Sequence, residues 1–333
     1  MSASTLSGIL PGWNNSPVET WLVPRNFLRL ATTNSGQNSG PLVAGTVACL
    51  SALSEDVATL RAKGGLSRRA AFNEGLRGVR DALSRINGVM EEMWGRSKPR
   101  AYTHFRTFIF GITSQSMFPR GVVYEGVDLE EARADPEGRV SFRGESGAND
   151  SIVPLADNLL QIRMPDTPLT DILRDFRSYR PGDHRRFLGW VAERSEALGV
   201  RDFALAGDDD DNGGNDDDKE LLRESRRLWI QVLDQVRDFR WRHWCFAREY
   251  ILKQTDHPTA TGGSPIVTWL PNQLQAVLEE MAEAYRSAGG DGAALGPELD
   301  EIMDRASRQR DTLRKEVEKY CRERGVVGTG LPA

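Results

Sequence analysis

Three observations predict a mostly α-helical fold. Long stretches lack helix breakers, above all residues 220–253, which contain neither Gly nor Pro. Within such stretches the large apolar residues recur at spacings of three and four, the period of one buried helical face. Alternating β-branched and aromatic runs, which would mark strands, are scarce. Pro- and Gly-rich connectors separate the periodic stretches, so the helices should pack on one another around a shared core.

Taken in chain order, residues 1–40 have no period. Pro11, Pro17, Pro24 and an Asn/Ser/Gly cluster at 32–40 make them an irregular N-terminal extension. Residues 41–330 form the helical body. Its first helix is expected at 41–61, with Pro41 in the first turn. A second is expected at 66–94, where Phe72, Leu76, Val79, Leu83, Ile86 and Met90 form a stripe. These two should be antiparallel neighbours. A helix at 102–111 follows, then a loop carrying Pro119, Gly121 and Gly126. The GESGAND segment at 144–150 reads as a loop and the apolar run at 152–162 as a helix. Helices at 167–179 and 183–198 are separated by Pro181 and Gly182, the first capped by Thr167 with Pro168 just inside. DDDDNGGNDDDK at 208–219 combines repelling charges with glycines and reads as a disordered loop, without the spacing of an EF-hand. The helix at 220–253, a Thr/Gly/Pro loop at 255–265, and charged helices at 273–287 and 297–324 complete the chain.

Composition narrows the function classes. A chain of 333 residues with 39% hydrophobic and 27% charged residues can bury a large core as a globular protein. It has no apolar run approaching the roughly 18 residues that a membrane span requires. Lys and Arg number 43 against 48 Asp and Glu, a net charge of −5 with the signs interspersed, which argues against nucleic acid as a partner. The N-terminus lacks a basic start followed by an apolar stretch, so no secretory signal is expected and the cytoplasm is the expected location. Cys49, Cys245 and Cys321 form no CxxC pair and are expected to be reduced thiols. His104, His184, His243 and His257 form no HxH, HExxH or HxxxH pair, so a multi-histidine metal site would need distant segments.

One histidine stands out. Trp229, Leu233, Val236, Phe239, Phe246 and Tyr250 line one face of the 220–253 helix, and His243 lies seven residues after Val236 and seven before Tyr250. It therefore points where the core points. A buried imidazole needs a partner, which is either an iron or zinc ion on a ring nitrogen or a carbonyl or carboxylate of the protein itself.

The histidine helix does not stand alone. The segments FRTFIFGI (105–112), GVVYEGV (121–127), GESGANDSIVPLADNLL (144–160), RSYRPGDHRRFL (177–188) and FRWRHWCFAREYI (239–251) with ATGGS (260–264) follow one another in this order. Together they resemble the indoleamine 2,3-dioxygenase family of haem proteins. Each fragment alone is weak, and the collinear set carries the resemblance. It implies an all-α haem domain of that type with a reduced N-terminal region, and haem b, with its iron, as cofactor. His243 matches the proximal iron ligand, which leaves the opposite haem face for dioxygen. Arg240 matches a residue linked to a haem propionate, and Asp157 matches an acid joined to it; an ordinary salt bridge between the two is the plainer reading. Arg106 matches the arginine that pairs with the carboxylate of the substrate amino acid. Its surroundings agree, because a cation between Phe105 and Phe108 needs an anionic partner, from substrate or from the protein's own acids. Ser146 and Gly147 match a small-residue loop over the distal haem face. Thr261, Gly262 and Gly263 match a mobile loop that closes on the substrate, although TGGS by itself is simply a flexible turn.

The chain also departs from the family. Where relatives place aromatic residues four and five positions before the substrate arginine, this sequence has Tyr102 and Ala101. The loss of one ring removes part of a stacking surface and leaves room for a larger or different aromatic amino acid. The distal positions near Gly40 and Ala44 are small and non-polar, so no side-chain acid or base is expected there. The resemblance implies a haem-dependent dioxygenase that inserts dioxygen into the indole C2=C3 bond of tryptophan or a derivative, giving an N-formylkynurenine-type product, with an electron donor keeping the iron ferrous. Two alternatives stand beside it. One is a haem enzyme of a natural-product pathway that rearranges, hydroxylates or mono-oxygenates a modified aromatic amino acid. The other is a non-catalytic haem-binding or helical scaffold protein.

Overall fold

A computed structural model describes residues 36–54, 67–95, 152–163, 182–206, 216–249, 266–289 and 295–323. Every regular element among these is a helix, as expected: α1 (Gly36–Ser54), α2 (Arg68–Gly95), α3 (Ile152–Leu159), α4 (Gly182–Ala197), α5 (Val200–Leu205), α6 (Asp216–Ala247), α7 (Ile266–Gly289) and α8 (Pro297–Glu323). The helices expected at 102–111 and 167–179, and the loops at 144–150 and 255–265, lie outside the described residues. No described helix is long and apolar enough to cross a membrane.

Four boundaries differ from expectation, each for a local reason. α3 ends at Leu159 and not at Ile162, because Gln161 takes a left-handed φ of 55° and turns the chain. α1 starts at Gly36 and α7 at Ile266, so Pro41 and Pro271 both sit inside their helices as the sixth residue. A proline this close to the N-terminus removes only one early hydrogen bond, and the helix tolerates it. α6 starts at Asp216, so 216–219 belong to the helix instead of the acidic loop. Carboxylates at a helix start face the positive end of its dipole. α5 was not anticipated. It is one short turn-and-a-half behind Gly199, whose φ of 58° is left-handed, and six residues are too few to display a period.

α1 and α2 cross at unusually short range and run antiparallel. A Cβ on Gly45 would lie 2.7 Å from the Val79 nitrogen, and one on Gly75 would lie 2.7 Å from the nitrogen and Sγ of Cys49. The Ser67 hydroxyl starts α2 by accepting from the Ala70 N–H at 3.2 Å. Its expected stripe is fully buried, with Phe72, Leu76, Val79, Leu83, Ile86 and Met90 all in the core.

α6 is the central helix. Its expected stripe of Trp229, Leu233, Val236, Phe239 and Phe246 is buried, Leu228 and Val232 extend it, and Ile230 and Trp244 are buried to one side of it. A helix apolar around so much of its circumference must be packed by neighbours on several faces. On one side lies α2, parallel to it: Asn73 donates to the Leu221 carbonyl at 2.9 Å, Arg80 to Gln231 at 3.0 Å and Asn87 to the Gln235 carbonyl at 3.0 Å. On another lies α8, also parallel, with Gln231 bonded to Glu298 at 2.6 Å, Arg305 to Asp234 at 2.8 Å and Trp244 to Glu316 at 2.8 Å. α8 turns Leu299, Ile302, Ala306, Leu313 and Val317 inward, one heptad-like face.

The α1–α2 crossing predicts opposite signs for two similar substitutions. Gly75→Ala gains helix propensity of about 1 kcal/mol but drives a methyl into the Cys49 backbone, and overpacking of this kind costs about 1–3 kcal/mol, so net destabilisation is expected. At Gly88 nothing lies within 4 Å of the added methyl, so Gly88→Ala should stabilise by about 0.5–1 kcal/mol. Urea unfolding of both variants checks the pair.

Candidate functional site

Asp157 is held in place by the way α3 ends. The Ile162 N–H bonds back to the Asp157 carbonyl at 3.0 Å, with Gln161 at a left-handed φ of 55°, so the chain turns sharply just after the acid. Asn158 next door donates to the Leu188 carbonyl of α4 at 2.8 Å. These two ties orient the carboxylate toward α6.

There it meets Arg240. One guanidinium nitrogen of Arg240 donates to both Asp157 oxygens, at 2.8 and 2.6 Å, and another donates to the Gln273 carbonyl of α7 at 2.7 Å. Arg240 is 4% and Asp157 5% exposed, so the pair is desolvated and its hydrogen bonds are worth more than surface ones. Burial works against the Arg240 charge, and Asp157 holds it in place. The Nε of Arg240 is buried and has no hydrogen-bond partner among the described residues. An orphan donor of this kind on a buried cation is energetically costly unless a further acceptor meets it.

His243 follows Arg240 by three residues, about one helical turn on the same side of α6. Its ring lies edge-on to Phe239, with centroids 6.5 Å apart and planes at 78°. The side chain is half-buried instead of fully enclosed. Burial first, and the nearby Arg240 charge second, push its pKa down to about 4. At neutral pH the imidazole is therefore uncharged, with one N–H and one lone pair, the form that ligates a metal without competition from protons.

Of the residues expected to form the site, Asp157, Arg240 and His243 come together on α3 and α6. Tyr102, Arg106, Ser146, Gly147, Thr261, Gly262 and Gly263 lie outside the described residues. Ala44 is half-buried against the core. The Gln273 carbonyl was not foreseen, because a backbone acceptor leaves no trace in residue identity. Among the described residues no group of three or more His, Cys, Asp or Glu side chains gathers as a metal site.

The sequence matches the family model for indoleamine 2,3-dioxygenase over residues 44–309. The chain belongs to the indoleamine 2,3-dioxygenase family. The matched region runs from within α1 into α8 and includes Asp157, Arg240, His243 and Gln273. No individual curated protein matches the chain. Family membership brings a general chemistry, haem-dependent dioxygenation of tryptophan-like indoles. The described residues suit such a cofactor: a neutral imidazole can take the iron, and a buried guanidinium with an unsatisfied N–H one turn away can take a carboxylate at a porphyrin edge.

Two outcomes follow. Asp157→Ala leaves the Arg240 charge buried and unneutralised, which should destabilise the fold by about 3–5 kcal/mol in chemical denaturation. For the haem-free chain, the folded-state pKa of His243 near 4 lies below its ordinary 6.5. The unfolded state then binds the extra proton, so the contribution of His243 to stability is complete above pH 6.5 and is lost as pH falls toward 4. Comparing acid unfolding of the wild type with His243→Gln should show a flatter profile for the variant in that window.

Proposed function

We propose that this protein is a haem-dependent dioxygenase acting on tryptophan or a tryptophan derivative, and that it adds both atoms of dioxygen across the indole C2=C3 bond to give an N-formylkynurenine-type product. The observation that carries the reading is the placement of His243 one turn from the buried Arg240–Asp157 pair, in a chain of this family. Bound haem supplies the activation of dioxygen, and the protein supplies orientation and exclusion of water.

In this reading His243 holds the iron, while Arg240 and Asp157 neutralise a propionate at the haem edge. Arg106 binds the substrate carboxylate, and Tyr102 packs against the aromatic ring. Ser146 and Gly147 keep the distal face clear of bulk, and Thr261, Gly262 and Gly263 cover the amino group. The catalytic body is residues 41–330, preceded by the extension at 1–40. A cytoplasmic location with an electron donor that keeps the iron ferrous completes the proposal. One feature favours a second reading: Ala101, in place of a ring, suits a bulkier aromatic amino acid and a reaction that adds one oxygen or none.

The test is to titrate the ferrous protein anaerobically with tryptophan and tyrosine derivatives, admit isotopically labelled dioxygen and weigh the product. Gain of two labelled oxygens with ring opening is expected; gain of one or none selects the second reading. Arg106→Ala should lower kcat/KM by roughly 30-fold or more, the scale of truncating one member of a buried charge pair. An unchanged kcat/KM would remove the carboxylate-binding role.

A further inference from the structure

α8 reaches past the matched residues. The family match ends at residue 309, and α8 continues to Glu323. Within this second half of the helix lies Glu316, and its two carboxylate oxygens do different things. Oε2 accepts from the Trp244 indole N–H at 2.8 Å, and Oε1 pairs with the Arg248 guanidinium. Trp244 is 1% exposed and directly follows His243. Arg248 lies four residues further on, where α6 leaves regular α geometry and widens into a π turn at Arg248 and Glu249. Such widenings often accompany functional sites and otherwise weaken a helix end.

On the other side of His243, a second tie joins the same two helices. Arg237 bonds Gln309, and Asp234, paired with Arg237 at 2.7 Å, also receives Arg305 at 2.8 Å. His243 thus lies between two polar ties from α6 to α8. The tie at Trp244 is the nearer one in sequence, and it acts through a large rigid ring whose rotation about the helix axis is coupled to that of its neighbour, about 100° away.

We propose that Glu316 is a positioning residue for the haem ligand: by fixing Trp244 and Arg248 it holds the last turns of α6 and so sets the orientation of the His243 imidazole. The inference rests on His243 being the iron ligand. Glu316 acts in this role through Trp244 and Arg248, its two partners among the described residues.

The experiment uses the full-length ferrous holoprotein. The readouts are the iron–histidine stretching band in resonance Raman, the rate of haem loss to a scavenging globin, and the Tm of the haem-free chain. Glu316→Ala should shift or broaden the band and speed haem loss about tenfold, the usual effect of losing a residue that orients a ligand. Glu316→Gln keeps an oxygen for the indole N–H and should restore a band close to wild type. Arg305→Ala breaks the α6–α8 tie at Asp234, away from the ligand, and should lower Tm while leaving the band unchanged. If Glu316→Ala and Arg305→Ala alter only Tm, Glu316 is a structural contact and the positioning role is overturned. If the wild-type holoprotein shows no iron–histidine band, the assignment of His243 fails, and this inference fails with it.

Discussion

The described structure depends on a desolvated charge pair. Arg240 and Asp157 come from segments 83 residues apart, and each alone would be too costly to bury. Together, with the Gln273 carbonyl as a third partner, they fix where α3 and α7 meet α6. The geometry around His243 follows from that junction, because the imidazole sits one turn beyond the arginine. Replacing such a pair with apolar side chains often preserves stability in a generic helical bundle. It would remove the only charge placed one turn from His243 among the described side chains, and the remaining Nε donor of Arg240 with it.

Around this junction the rest of the molecule acts as a frame. α2 and α8 flank α6 in parallel and grip it through side-chain amides and ion pairs at successive turns. α1 is brought close to α2 by Gly45 and Gly75, where the absence of two side chains lets backbones meet. The Cys49 thiol fills that crossing, and burial raises its pKa far above the ordinary range, which makes it packing material and not a nucleophile. Cys245 is similar, with burial pushing its pKa up to about 11 although it lies two residues from His243.

Much of this was legible in the sequence, for physical reasons that also explain what was not. A buried helix imposes a period on its apolar residues, so the stripes of α2 and α6 could be read directly. The wide burial of α6 could not, because Ile230, Trp244 and Arg237 fall off the stripe and are explained only by neighbours on further faces. Pro41 and Pro271 hid the true starts of α1 and α7, since a proline is normally taken as a boundary when it can also sit in an early turn. The pairing of Arg240 with Asp157 came from the family resemblance and not from local pattern, as no spacing rule links residues so far apart. Gln273 and Glu316 gave no signal at all: one acts through its backbone, and the other is an ordinary acid on a charged helix until Trp244 is seen beside it.

The measurement that bears most directly on this account is a haem titration of the haem-free chain, followed at the Soret band, for the wild type and His243→Ala. Saturable, stoichiometric binding with a histidine-ligated spectrum is expected in the wild type, and binding weakened at least about tenfold, with an altered spectrum, in the variant. Equal affinity and identical spectra in the two proteins would contradict this account.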